Sequence, residues 1–379
     1  MYRLLACIAL ILATVTAMDR ILASALGDLL LRSNDRFMAI YRPVEPEDVP
    51  AAKPGTQPHE QPAPLMVKAA LAPAPAARPT RGPADVLVLG NSRADNHFPV
   101  SALRDMTCGR ALNLGMGGAP TVLSALLWED YVERHGAPRL LILEPTGLVD
   151  NPHDLADLPL LAYYSPRIDA FVRQENRELW MANHAFHLMT FNNNQTMRLV
   201  AGLLKPADDR TLVGVIPEPL KAQLAAAPEE TMTAADANWQ AMDRIIRSAQ
   251  AQGTRVAVVI TPYFPTYAGK LKNFDAFFAE LKSRLPAGVT VIDARRAVDK
   301  DELFMDALHI NEDGVRAMFT ALEPQLRPLG NCPVEAIASL TAAKGTGTAA
   351  GMATGLAADF ARGKGGARED APFRFHPFH

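Results

Sequence analysis

The sequence predicts an α/β protein, a parallel sheet with helices on both faces. Two observations carry the prediction. Five short runs rich in Val, Ile and Leu recur between longer stretches whose apolar residues have helical spacing, and repeated βα units of that kind build a parallel sheet covered on both sides. The first run, Val86-Leu87-Val88-Leu89, stops abruptly at Gly90-Asn91-Ser92, as a buried parallel strand does on entering a tight turn.

The chain opens with residues 1–31, in which Arg3 precedes fifteen uncharged, mostly apolar residues, 4–18, ahead of Asp19 and Arg20. That run has the length of a signal-peptide core and falls short of the roughly 20 residues a spanning helix needs. Because residues 21–31 continue apolar, a cleaved leader and an uncleaved membrane anchor both stay open, and either one implies export to the periplasm or cell envelope. Residues 32–83 read as a linker: eleven prolines fall within 42–83, and such a segment buries too little apolar surface to offset the entropy of ordering. Its role would be reach.

A single domain is expected over 84–330. Strands are predicted at 86–89, 111–114, 139–143, 255–261 and 289–293, and helices at 121–133, 234–252, 274–285 and 314–326. Between 151 and 231 the rhythm breaks. This insertion follows the carboxyl end of a strand, so it is expected to form a cap over the site there. Residues 331–379 are rich in Ala, Gly and Thr, then basic, and read as a disordered tail.

Composition narrows the function classes. The net charge of −3 and the lack of a basic run interleaved with aromatics give no footprint for nucleic acid, so none is expected as a partner, and membrane contact is expected only through the N-terminus. Three scattered cysteines, Cys7, Cys108 and Cys332, make no metal pattern and no disulfide framework. Cys108 and Cys332 either pair in an oxidising compartment or stay as thiols. No metal or cofactor is implied.

The chemistry starts at Ser92, at the carboxyl end of a predicted strand, where open α/β sheets place ligands and nucleophiles. A serine hydroxyl is weak until a base activates it. The candidate base is in Phe304-Met305-Asp306-Ala307-Leu308-His309: Asp306, three residues before His309, can reach Nδ1–H and fix the tautomer that leaves Nε2 for the serine. Each signal also has a bland reading. Ser92 could be a helix N-cap, Asp306 could cap a helix starting near 311–313, and the glycines at 115, 117 and 118 could merely permit a turn.

The Gly-Asn-Ser opening and the closing Asp-x-x-His together resemble the SGNH (GDSL-type) hydrolase superfamily, over roughly residues 84–329. The resemblance implies a three-layer α/β/α sandwich with a five-stranded, flavodoxin-like parallel sheet. It also implies Ser92, Asp306 and His309 as catalytic residues, and an oxyanion-hole glycine in Leu112-Asn113-Leu114-Gly115-Met116-Gly117-Gly118, which we assign to Gly115. The third block departs, because Leu143-Glu144-Pro145-Thr146-Gly147 stands where the family carries Gly-x-Asn-Asp. An ionised glutamate accepts and cannot donate to an oxyanion, so Thr146 is the expected substitute beside the Ser92 and Gly115 amides. Asn91, Arg93 and Tyr263 are the expected substrate contacts. The altered block and the leader resemble envelope proteins of polysaccharide O-acetylation and D-alanylation. Acyl transfer to, or ester removal from, a polysaccharide through acyl-Ser92 is therefore the leading expectation. The expected partners are an acyl ester or acylated polysaccharide and an envelope acylation complex; the alternatives are a small-molecule carboxylesterase and a non-catalytic glycan-binding or scaffold module.

Overall fold

The five predicted apolar runs all become strands of one sheet, in a computed structural model that describes residues 2–33, 35–42, 84–149, 158–193, 196–197, 200, 203, 212–330 and 332. Residues 43–83 of the expected linker, and the expected tail apart from residue 332, lie outside the described residues. In chain order the elements are α1 (Tyr2–Leu31), α2 (Met38–Tyr41), β1 (Val86–Leu89), α3 (Ser92–His97), α4 (Val100–Thr107), β2 (Ala111–Asn113), α5 (Thr121–His135) and β3 (Leu140–Leu143). Then come α6 (Leu158–Tyr164), α7 (Pro166–Glu175), α8 (Arg177–Ala185), α9 (Glu218–Ala226), α10 (Asp236–Ala251), β4 (Arg255–Ile260), α11 (Pro265–Ala268), α12 (Phe274–Arg284), β5 (Thr290–Asp293) and α13 (Glu312–Leu326). Short 3₁₀ turns span Pro145–Leu148 and His187–Phe191.

The sheet has the order β2-β1-β3-β4-β5 and every pairing is parallel, with Val86 opposite Ala111 on one side and Leu140 on the other. Strand β1 is buried on both faces, which is why its sequence is continuously apolar rather than alternating. One face is covered by α5, α10 and α12: Trp128 Nε1 donates to Ser248 Oγ at 3.1 Å, and the Trp239 and Phe277 rings lie 6.4 Å apart. Across the sheet Phe98, following α3, meets Phe319 of α13 edge-on at 6.1 Å. This is the expected three-layer α/β/α arrangement. The order reverses direction between β1 and β3, which opens a crevice at their carboxyl ends.

Two expectations need correction. Residues 35–42, expected to lie in the linker, are part of the core: Phe37, Met38, Ile40 and Tyr41 are buried. Tyr41 donates to Asp130 Oδ2 at 2.9 Å, the His135 ring donates to the Ile40 carbonyl at 2.8 Å, and Arg36 pairs with Asp95. The prolines that suggested a spacer begin only after this segment, and its own apolar residues find a groove along α5.

The inserted stretch, expected as a cap over the site, packs elsewhere in its first part. Helices α6 and α7 bury Leu160, Leu161, Ile168 and Val172, and Arg167 reaches Asp130 at 3.0 Å near the end of α5. Because α5 runs antiparallel to the strands it connects, its last turns lie at the sheet end opposite Ser92. Among the described residues the later part comes near the catalytic loop, where Ile216 N–H donates to the Phe304 carbonyl at 2.7 Å. Cys108, which closes α4 in the left-handed conformation, is disulfide-bonded, and so is Cys332; the thiol alternative falls.

Candidate active site

The turn after β1 depends on Gly90. Its φ of 148°, and the 2.8 Å that would separate any Cβ at this position from Ala94 Cβ, leave room for no side chain. Asn91 then caps α3, its Oδ1 accepting from Arg93 N–H at 3.0 Å. With the capping role filled by Asn91, Ser92 is the first helical residue and its hydroxyl is free for other work. Ser92 Oγ lies 2.8 Å from His309 Nε2.

His309 is placed by a loop rather than by a helix. Asp306 Oδ1 accepts from the backbone N–H of Leu308 at 2.7 Å and of His309 at 2.8 Å, a side-chain-closed turn of the kind short aspartates favour. The same carboxylate meets His309 Nδ1 at 2.9 Å through Oδ2. Burial pushes the Asp306 carboxyl up, but the His309 hydrogen bond and charge and the two amides outweigh it and hold it below its ordinary value. The helix that follows is capped by Asn311, whose Oδ1 accepts from Gly314 N–H at 3.1 Å, so Asp306 is left to orient the imidazole. Ser92, His309 and Asp306 are thus joined from hydroxyl to carboxylate in the order nucleophile, base and orienter.

Two further residues position this device, and the sequence reading missed both. His97 is fully buried and accepts from Ile310 N–H through Nε2 at 3.2 Å, its ring edge-on to His309 at 5.9 Å. Burial first, then the charges of Arg93 and His309, push it well below the usual histidine range, so it stays neutral and can accept. Asn113 ends β2. Its Nδ2 donates to the carbonyls of Ala94 at 2.7 Å and Phe98 at 2.9 Å, while its Oδ1 accepts from Gly115 N–H at 2.8 Å. A polar residue closing an apolar strand is a legible signal; His97, with its partner 213 residues away, offers none.

The remaining site expectations change. Gly115 is no oxyanion donor, because its N–H is spent on Asn113. It is a glycine for a steric reason: a Cβ there would lie 2.3 Å from the Asp95 nitrogen. Thr146 donates its hydroxyl to the Glu144 carboxylate and its N–H to Glu144 Oε2 at 3.0 Å, so both of its donors are engaged within the Glu144 turn. Arg93 is 0% exposed, and its side chain is turned into the core. Its Nη2 donates to the carbonyls of Thr261, at 2.7 Å, and Pro262, its Nε lies 3.8 Å from Glu144 Oε1, and its guanidinium stacks 3.7 Å from the Tyr263 ring centre. Tyr263 is buried with it, edge-on to Phe274 and Phe278. Asn91 has its carboxamide oxygen engaged in the cap. Of the eight expected site residues, the structure joins Ser92, Asp306 and His309 and gives the other five hydrogen-bond or packing partners of their own.

A cavity of about 400 Å³ lies away from Ser92, among α6, α7, α8 and the His187–Phe191 turn, lined by Tyr163, Asp169, Trp180 and His184 among others. No triad residue borders it. Among the described residues no group of three or more His, Cys, Asp or Glu could hold a metal.

No family model matches the chain, and no curated protein matches it. Among solved structures the chain is similar to a Bacteroides fragilis protein provisionally named an acylhydrolase, at 11% identity and a TM-score of 0.33, over 64% of this chain and 86% of that one.

Proposed function

We propose that the chain is a serine-dependent acyl-ester enzyme of the SGNH type that works in the cell envelope. The observation that carries the reading is the 2.8 Å approach of His309 Nε2 to Ser92 Oγ with Asp306 2.9 Å behind the imidazole. Ser92 Oγ attacks the ester carbonyl while its proton passes to His309 Nε2. The tetrahedral intermediate collapses, the C–O bond to the leaving group breaks, and the imidazolium returns its proton to the departing alkoxide. Acyl-Ser92 remains. His309 then deprotonates the acceptor hydroxyl, of water or of a glycan, which takes the acyl group and restores the serine.

With Gly115 and Thr146 excluded, we assign the oxyanion to the Ser92 N–H, at the first helical position where no intrahelical acceptor exists, and to the amides of the exposed Gly117–Gly118 turn. Through such a hole acyl-Ser92 can pass its acyl group to a polysaccharide hydroxyl or to water, and the acceptor effect in the test below separates the two. Two features support the envelope. Helix α1 is long and apolar enough to cross a membrane, and the disulfide-bonded state of Cys108 and Cys332 fits an oxidising compartment.

The test is mass spectrometry of the full chain after exposure to p-nitrophenyl acetate. One acetyl group on Ser92 is expected, absent in Ser92→Ala and in His309→Ala, and discharged faster when an acceptor polysaccharide is added. Prompt hydrolysis without an acceptor effect would make the protein a plain carboxylesterase. No adduct from any activated ester would sink the catalytic reading in favour of a glycan-binding module.

A further inference from the structure

Helix α1 changes character at Asp19. Residues 2–18 are all exposed, and the most apolar 18-residue window of the helix has a mean hydropathy of 2.0. From Asp19 onward one stripe, Asp19, Ala23, Gly27 and Leu30, is buried, at the spacing of a single helix face. What covers it is the inserted stretch. The N–H groups of His187 and Leu188 donate to the Asp19 carboxylate at 2.8 and 3.0 Å, Arg20 donates to the His184 carbonyl at 2.9 Å, and the Tyr164 hydroxyl donates to the Gly27 carbonyl at 2.8 Å.

These bonds fix the height of the insertion along α1. A hydrocarbon core of about 30 Å takes about 20 helical residues, and a span of that length centred on the uncharged run 4–18, between Arg3 and Asp19, ends near Ile21. His187 and Leu188 are tied to Asp19, within one turn of that level. Around the same level large apolar side chains face outward: Ile21 and Leu22 on α1, and on the insertion Phe186 (54% exposed), Met181 (49%), Met189 (45%) and Leu188 (37%). Scattered singly such residues need no explanation, but a cluster continuous with an apolar helix marks an interaction surface.

We propose that the end of α8 and the His187–Phe191 turn are seated in the lipid bilayer beside α1, with Met181, Phe186, Leu188 and Met189 in the interfacial layer of the leaflet from which α1 emerges. The proposal rests on the reading of α1 as an uncleaved anchor and goes beyond it. The occupant is lipid because the patch adjoins the seventeen exposed residues of α1, part of a helix long and apolar enough to cross a membrane. Burial of the Asp19 carboxylate under two N–H donors is what lets a charged residue sit at that depth. The insertion is then a docking platform that holds the catalytic domain at a fixed height, in place of a body swinging on a tether.

The experiment is site-directed spin labelling of the full chain, with Cys7→Ser, in phosphatidylcholine–phosphatidylglycerol vesicles. Labels go in through Leu12→Cys, Phe186→Cys, Met189→Cys and, as a remote aqueous control, Arg247→Cys, whose parent side chain is exposed. Each is read by its collision with oxygen and with a water-soluble nickel chelate. The oxygen-to-nickel ratio is expected to be severalfold higher at 186 and 189 than at 247, and highest at 12. A lipid-like ratio at 12 with ratios at 186 and 189 equal to that at 247 overturns the proposal and leaves the anchor standing. An aqueous ratio at 12 overturns the anchor reading itself. Low collision with both probes at 186 and 189 means a protein partner covers the patch, and that too overturns a lipid contact.

Discussion

Breaking the ion pair beneath the catalytic serine should cost a large fraction of the domain's stability. Arg93 and Glu144 have fully buried side chains, and each is held by neutral partners as well: Arg93 by the Thr261 and Pro262 carbonyls, Glu144 by Thr146 and by the Thr261 hydroxyl at 3.2 Å. Glu144→Gln keeps the shape and removes the charge, so the guanidinium stays buried with only carbonyl oxygens and the Tyr263 ring. Removing one partner of a buried pair costs about 3–5 kcal/mol, because the survivor is left uncompensated. Urea unfolding followed by circular dichroism reads this directly. With a slope of about 3 kcal/mol/M for a domain of this size, the midpoint should fall by roughly 1 M or more at unchanged slope. Arg93→Met should cost as much. Since both variants remove the same interaction, the double variant should be about 2 kcal/mol better than the sum of the two. Strict additivity, or a Glu144→Gln loss under about 1 kcal/mol, would refute the claim that the two charges compensate each other.

Gly115→Ala should lose both stability and activity, by about 1–3 kcal/mol for the former, since its Cβ meets backbone atoms of Ala94 and Asp95 at 2.7 and 2.3 Å rather than a side chain that could move; full activity in this variant would disprove the close packing of that loop on α3. Asp306→Asn should lower kcat on the order of 10⁴-fold with KM little changed, as loss of the correct histidine tautomer does elsewhere. Because the folded Asp306 carboxyl sits below its ordinary value of 3.8, its contribution to stability is present above that pH and fades as the pH falls through the lower folded value; denaturation of wild type and Asp306→Asn should therefore converge in acid and differ at about pH 7. A chain starting at Asp19 should retain the unfolding midpoint of the core, whereas one starting at Ala84 should not fold, having lost the buried Phe37, Met38, Ile40 and Tyr41, each worth about 1.5–3 kcal/mol.

The residues alone settle whatever is encoded locally. Strand β1 is four apolar residues ended by a glycine that takes φ of 148°, a pattern that suits a buried strand entering a tight turn. The parallel character of the sheet is local in the same sense, because each βα unit carries its own periodicity, whereas the five-stranded order was legible only through the resemblance to a known family. Asp306 and His309 were legible for a related reason: three residues apart, they meet through a turn that the aspartate itself closes.

Long-range partners, by contrast, are fixed only when the chain packs. Arg93 follows the nucleophile directly and reads as a substrate contact, yet α3 aims its side chain inward, where Glu144, Thr261 and Tyr263 from two other strand ends converge on it. Gly115 was marked as special for the right residue type and the wrong reason, since the sequence cannot show that Asn113 takes its N–H or that Asp95 lies against its Cα. The apolar residues of 35–42 and of α6 and α7 state only that they must be buried. Which groove along α1 and α5 receives them is set by shape and by pairs such as Tyr41 with Asp130 and Asp19 with the His187 amide, 89 and 168 residues apart, and separations of that size leave no trace in local pattern.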